Sequence, residues 1–113
     1  MPADETPWLT PDELRAWMAL SAMTQTLPAA LEAQLKRDSG LNLFDYYVVA
    51  ALSEAPGRTR GMSELALMAQ GSLSRLSHAV GRLEKQGLVV RRPSPADGRL
   101  TEAHLTAAGM RKI

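Results

Sequence analysis

Between Ser72 and Leu105 the spacing of apolar residues changes, and that change constrains the fold more than any other feature of the chain. Leu73, Leu76, Val80 and Leu83 recur at three- and four-residue steps, the period of a helix with one apolar face. Gly87 ends the pattern. Leu88-Val89-Val90-Arg91-Arg92 then reads as a strand and Pro93 to Gly98 as a tip; Leu100 to Leu105 return as a strand with Ala103 and Leu105 inward. A helix leading straight into a hairpin, in a chain with room for one small core, leaves few architectures.

Upstream residues supply the other helices. Thr10-Pro11-Asp12-Glu13 is a capping box with proline at the first helical position, and Leu9 and Leu14 stand at the positions of a hydrophobic staple. Leu14, Trp17, Leu20, Met23, Leu27, Leu31 and Leu35 predict a helix over 10–40, kinked or split at Pro28 and stopped by Gly40. That is more apolar surface than a small core needs, so part of this helix is expected to form a subunit-interface arm. Asn42 can cap a second helix in which Phe44, Tyr47, Val48, Ala51 and Leu52 share a face, and Pro56-Gly57 closes it. Arg58-Thr59-Arg60-Gly61 is a short basic connector with some strand character. A short third helix starts near Ser63, carries Leu65 and Met68 and closes near Gln70-Gly71; Ser72 caps the fourth helix, and Thr106 caps a last one.

The expected fold is therefore mainly α with a small β-hairpin: a winged helix-turn-helix in a single domain over 1–113. Residues 42–87 make the helix-turn-helix region, 88–105 the wing and 106–113 the start of a truncated helix.

Composition removes whole classes of function. The chain has no cysteine, which excludes disulfides and thiolate chemistry. His78 and His104 are too few and too far apart for a metal site, so no metal or cofactor is expected. No nucleophile–base pair, glycine-rich phosphate loop or carboxylate pair emerges, and the chain does not read as an enzyme. Asp4 and Glu5 near the start do not fit a secretory signal, and no apolar run is long enough to span a membrane; both point to a cytoplasmic protein. Charge is divided unevenly. Residues 1–57 hold three basic and eight acidic residues (net −5), residues 58–113 ten basic and four acidic (net +6), which suggests that one end meets a polyanion.

Helical spacing gathers Ser74, Arg75, His78, Gly81, Arg82 and Lys85 opposite the apolar side of the fourth helix, with Glu84 nearer the apolar flank. Arg75, Arg82 and Lys85 can meet phosphates or guanine edges of duplex DNA; Ser72, Ser74, Ser77 and His78 can hydrogen-bond either. Gly81 fits either close approach of another backbone or simple tolerance. At the hairpin tip, Asp97-Gly98-Arg99 places Arg99 to enter a minor groove, with Arg91 and Arg92 on the ascending strand near the DNA backbone. Asp97 is expected to bond a neighbouring arginine or the turn's amides and hold the wing in shape. Arg58 and Arg60 are candidate phosphate contacts from the connector. Trp17, Tyr46 and Tyr47 are candidates for a small-effector pocket, but core packing is the preferred reading for them and for Trp8.

The stretch from Leu73 to Gly109 resembles the multiple-antibiotic-resistance regulator (MarR) family of bacterial transcription factors. The family pattern R-L-E-x-x-G-L-V-x-R stands here as Arg82-Leu83-Glu84, Gly87-Leu88-Val89 and Arg91; D-x-R as Asp97-Gly98-Arg99; and L-T-x-x-G as Leu105-Thr106 with Gly109. Upstream, Leu52-Ser53, Pro56-Gly57 and Ser63-Glu64-Leu65-Ala66 fall where the family pattern puts them. The resemblance implies a homodimer on a pseudo-palindromic operator of double-stranded DNA, acting as a repressor and released by a small aromatic effector. Family members continue into long carboxy-terminal helices that knit with the first helix. This sequence ends at Ile113 without them, which implies a truncation, a different mode of dimerisation or no dimer, and a weak dimer or none is expected. The rival reading is a winged helix used for protein–protein assembly, distinguished by binding that is indifferent to salt.

Overall fold

The structure, a computed structural model, describes residues 6–113, so the reading of Asp4 and Glu5 lies outside the described residues. Helix α1 (Pro11–Ser39) begins with the expected capping box: Thr10 Oγ1 accepts from the Glu13 amide at 3.2 Å and Glu13 Oε1 accepts from the Thr10 amide at 2.9 Å. The Thr10 amide, with the Thr10 hydroxyl beside it, holds the Glu13 carboxyl below its ordinary value. Gly40, at φ 73°, closes the helix in the left-handed conformation and donates its amide to the Leu35 and Lys36 carbonyls. The helix runs unbroken across Pro28, contrary to the expected kink or split. Proline forfeits a single N–H here, and the Thr24 carbonyl it would have met lies on an exposed stretch where water can serve it.

No residue of α1 is buried. It touches the rest of the chain near its end, where Leu35 is half-buried and Glu32 Oε1 accepts from the Leu43 amide at 3.4 Å. The molecule is consequently elongated, 66 × 35 × 23 Å. The preferred core reading is overturned for Trp8, 79% exposed, for Trp17, 57%, and for Tyr47, whereas Tyr46 is half-buried. Trp17 belongs to the apolar face of α1, which the arm carries past the core; Trp8 precedes that helix and Tyr47 lies on α2.

The core lies among the remaining elements: α2 (Leu43–Ser53), α3 (Met62–Met68), α4 (Leu73–Lys85) and α5 (Ala107–Lys112), with strands β1 (Thr59–Gly61), β2 (Val89–Pro93) and β3 (Thr101–Leu105). Val48, Val49 and Leu52 from α2 meet Leu65 from α3, Leu76, Val80 and Leu83 from α4, and Val89, Ala103 and Leu105 from the sheet, all buried. The sheet has three antiparallel strands in the order β1-β3-β2, so the connector contributes a paired strand rather than a touch. Val89 faces Leu105 and Pro93 faces Thr101, a register that turns Ala103 and Leu105 inward as their alternation predicts. Thr106 Oγ1 caps α5 through the Gly109 amide at 3.0 Å and also donates towards the Gly87 and Leu88 carbonyls, tying α5 to the root of the wing. Among the described residues no helix is long and apolar enough to cross a membrane.

Candidate nucleic-acid interface

Helices α3 and α4 are joined by a tight turn in which Gln70 adopts φ 56°, a left-handed conformation uncommon for a residue with a side chain. Ser72 then caps α4, its hydroxyl accepting from the Arg75 amide at 3.0 Å. The apolar side of α4 docks through Leu76, Ala79, Val80 and Leu83. Leu73, expected on that side from its spacing, is instead 52% exposed. As the first residue of the helix, it lies beyond the reach of the α2–α3 core and faces the wing.

Of the predicted helix contacts, Ser72, Ser74, Arg75, His78 and Lys85 are exposed. Arg75 lays its guanidinium over the Phe44 ring of α2, 4.1 Å from ring centre to guanidinium carbon. Arg82 is held by Asp45, also from α2, with Nε to Oδ2 at 3.2 Å and Nη2 to Oδ1 at 2.8 Å. Asp45 is only 4% exposed, and its hydrogen bonds hold the Arg82 guanidinium above its ordinary value. Ser77 is half-buried and accepts from Arg91 Nη1 at 3.0 Å.

Arg91 is fixed at the base of the wing. Its amide and Nε donate to the two Glu84 oxygens at 3.1 and 2.8 Å. Glu84 thus serves the junction of α4 and wing. A Cβ at Gly81 would lie 3.6 Å from Arg91 Nη2, an ordinary contact, so nothing within the domain demands this glycine. Arg92 bonds Glu102 Oε1 at 3.0 Å and Thr59 Oγ1 at 3.3 Å. At the tip, Asp97 accepts from the Arg99 amide, Nε and Nη2, each at 3.1 Å. The Arg99 side chain and amide hold the Asp97 carboxyl below its ordinary value, and Asp97 holds Arg99 above its own. In the connector, Arg60 Nη1 pairs with Glu64 at 2.8 Å while its Nε is buried without a partner among the described residues; Arg58 is exposed.

These elements converge. An open groove of about 590 Å³ is lined by Met62, Leu73, Ser77, Arg91, Arg99 and Leu100, so the start of α4 and both ends of the wing face one space. The positive charge of α4, the wing and the connector is more compensated than spacing alone implied: Arg60, Arg82, Arg91, Arg92 and Arg99 each pair with an acid. The effector candidates are not brought together. Tyr46 and Tyr47 pack ring to ring at 6.2 Å, and Tyr47 borders a hollow of about 200 Å³ with Met68, Ala69 and Gln70, which Trp17 does not line.

A family model described as the MarR family matches residues 39–100, from the end of α1 to the wing tip. The chain belongs to the MarR family. Among solved structures, Sco3205, a MarR-family transcriptional regulator of Streptomyces coelicolor in complex with DNA, aligns at TM-score 0.82 and 41% identity, covering 96% of this chain and 70% of that one. AbsC, a MarR-family regulator of the same organism, aligns at TM-score 0.81 and 39% identity over 95% of this chain and 74% of its own. The HTH-type transcriptional repressor IacR of Pseudomonas putida is 38% identical over 52 residues, which is 46% of this chain and 31% of the repressor. The fold is thus the winged helix-turn-helix of the MarR regulators, a family of transcription factors rather than enzymes.

Sequence reasoning missed Phe44 and Asp45 as partners of the α4 arginines. Asp45 had a signal: it is the sole charged residue in Leu41–Ser53, set in an otherwise apolar run. Its partner stands 37 residues away, and nothing local announces it.

Proposed function

We propose that this MarR-family chain is a sequence-specific DNA-binding repressor that places α4 in the major groove and the wing in the minor groove. The observation that carries the reading is the shared groove, which turns Ser77 of α4 and Arg91 and Arg99 of the wing towards one space. Arg75 is the reader of base edges, with Ser74 and His78 beside it. Ser72, Ser77 and Lys85 meet phosphates, and Arg82 offers its Nη1 to one. Arg99 enters the minor groove while Asp97 keeps the tip closed; Arg91 and Arg92 lie along the backbone, and Arg58 and Arg60 touch phosphate from the connector. Sco3205, solved with DNA, and the repressor IacR support the reading.

The apolar stripe of α1, exposed at Trp17, Leu20, Met23 and Leu27, is the surface through which two copies pair on a pseudo-palindromic operator. A small aromatic effector acting at the hollow beside Tyr47, away from Trp17, releases the DNA, and the protein works in the cytoplasm.

Selection of bound duplexes from a random pool, followed by titration over salt, tests the reading. A selected sequence should emerge, with log affinity falling linearly in log salt concentration. Binding indifferent to salt, or failure to enrich any duplex, would overturn it.

A further inference from the structure

Phe44 and Asp45 are consecutive residues in the first turn of α2, both buried, and each holds a different arginine of α4. Arg75 and Arg82 stand seven residues apart, two helical turns, so they share one side of α4. The Phe44 ring is wedged between Arg75 and the helix-turn-helix turn: a Cβ at Gly71 would meet its Cε2 and Cζ at 2.6 and 2.7 Å. Stacking occupies the face of the Arg75 guanidinium and leaves its N–H edges free for bidentate bonds. Asp45 takes Nε and Nη2 of Arg82, and Nη1 is left without a partner among the described residues.

We propose that Phe44 and Asp45 are positioning residues for DNA recognition, Phe44 setting the aim of Arg75 and Asp45 that of Arg82. This rests on the reading of α4 as the major-groove helix. A free arginine loses rotamer freedom when it docks; one already stacked or chelated has surrendered most of it in the folded protein. Asp45 does this without presenting a negative charge to phosphate, because it is buried and neutralised by the residue it holds. The two residues act on different terms of binding. Phe44 serves a base-reading arginine and governs discrimination between sequences, whereas Asp45 serves a phosphate contact and governs affinity for any duplex.

The test uses the full chain, the duplex that it selects and a scrambled duplex of equal length. Phe44→Leu is expected to weaken the selected duplex by about five- to thirty-fold while changing the scrambled duplex less than about two-fold. In an Arg75→Ala background the same change should add almost nothing. Asp45→Asn should weaken both duplexes alike, and add nothing to Arg82→Ala. If Arg75→Ala and Arg82→Ala weaken binding but Phe44→Leu and Asp45→Asn do not, the positioning proposal fails and the interface reading survives. If the wild-type chain selects no duplex, or the arginine variants bind normally, the interface reading fails and this proposal falls with it. A measurement on folded protein covers variants that do not fold. Phe44 is the chain's only phenylalanine, so its ring carbons give isolated NMR signals. These signals should shift on Arg75→Ala, and the Arg82 Nε–H should exchange slowly with solvent. Ring signals indifferent to Arg75→Ala, or a rapidly exchanging Arg82 Nε–H, overturn the proposal without any binding assay.

Discussion

Two glycines on either side of Ser72 should respond to alanine in opposite directions. Gly71 has a φ that alanine can adopt, so the effect there is steric and not torsional. Its added Cβ would lie 2.6 Å from Phe44 Cε2, against the roughly 3.5–4.0 Å of a relaxed carbon contact. About 1 Å must be recovered by moving either the turn or a buried ring stacked under Arg75. Overpacking of this kind costs about 1–3 kcal/mol, and the stiffer unfolded chain returns roughly 0.4–1 kcal/mol. Gly71→Ala should therefore destabilise the domain by about 0.5–2 kcal/mol and lower its Tm by roughly 3–10 °C. Gly81 sits inside α4 with its nearest heavy atom at 3.6 Å, so Ala meets no obstacle there. Replacing it removes a helix-interior glycine and should stabilise by about 0.5–1 kcal/mol. Thermal unfolding followed by circular dichroism, paired with urea titration, measures both. A Gly71→Ala protein at least as stable as wild type, or two shifts of the same sign, would refute the packing argument.

Three further outcomes follow from the geometry. Arg82→Ala leaves the buried Asp45 carboxylate without its partner and should cost about 2–3 kcal/mol in urea unfolding, less than a fully buried pair because Arg82 is half exposed; a change below about 0.5 kcal/mol would show that the pair does not form in solution. The lowered Asp97 value means that the wing-tip clasp is intact above the ordinary aspartate range and opens as pH falls through the depressed folded value. A carboxyl carbon titration of Asp97 should thus have its midpoint below that of an ordinary aspartate, and a midpoint at or above the ordinary value contradicts the clasp. Leu83→Ala, at a fully buried position between α4 and the core, should cost about 2–5 kcal/mol by the same urea assay, and a loss under 1 kcal/mol would mean that the helix docks differently.

What was legible in the sequence was local. Thr10, Asn42, Ser72 and Thr106 each cap the helix they precede, because a cap is decided by residues two or three positions away. The wing was legible for the same reason, its alternation and turn lying within one short stretch. Long-range partners were not. Phe44 reads from the sequence as one residue of an apolar helix face and Asp45 as one acid among eight, and both roles depend on α4 returning beside α2. Leu73 fitted the helical period but stands one turn too early to meet the core. Trp17 shows the opposite limit: periodicity identified an apolar face without saying what would cover it.

The arm has a consequence for folding itself. Helix α1 is 29 of the chain's 113 residues and contributes none of them to the core. The winged domain can therefore close with the arm unfolded. In proteins most helical stability comes from packing an apolar face, and Pro28 inside this helix subtracts about 3 kcal/mol. Its stability has to come from covering its apolar stripe. Helix content should then rise with protein concentration, while the unfolding transition of the winged domain stays put. On the pairing proposed above, a quarter of the chain would complete its folding only as a property of an assembly.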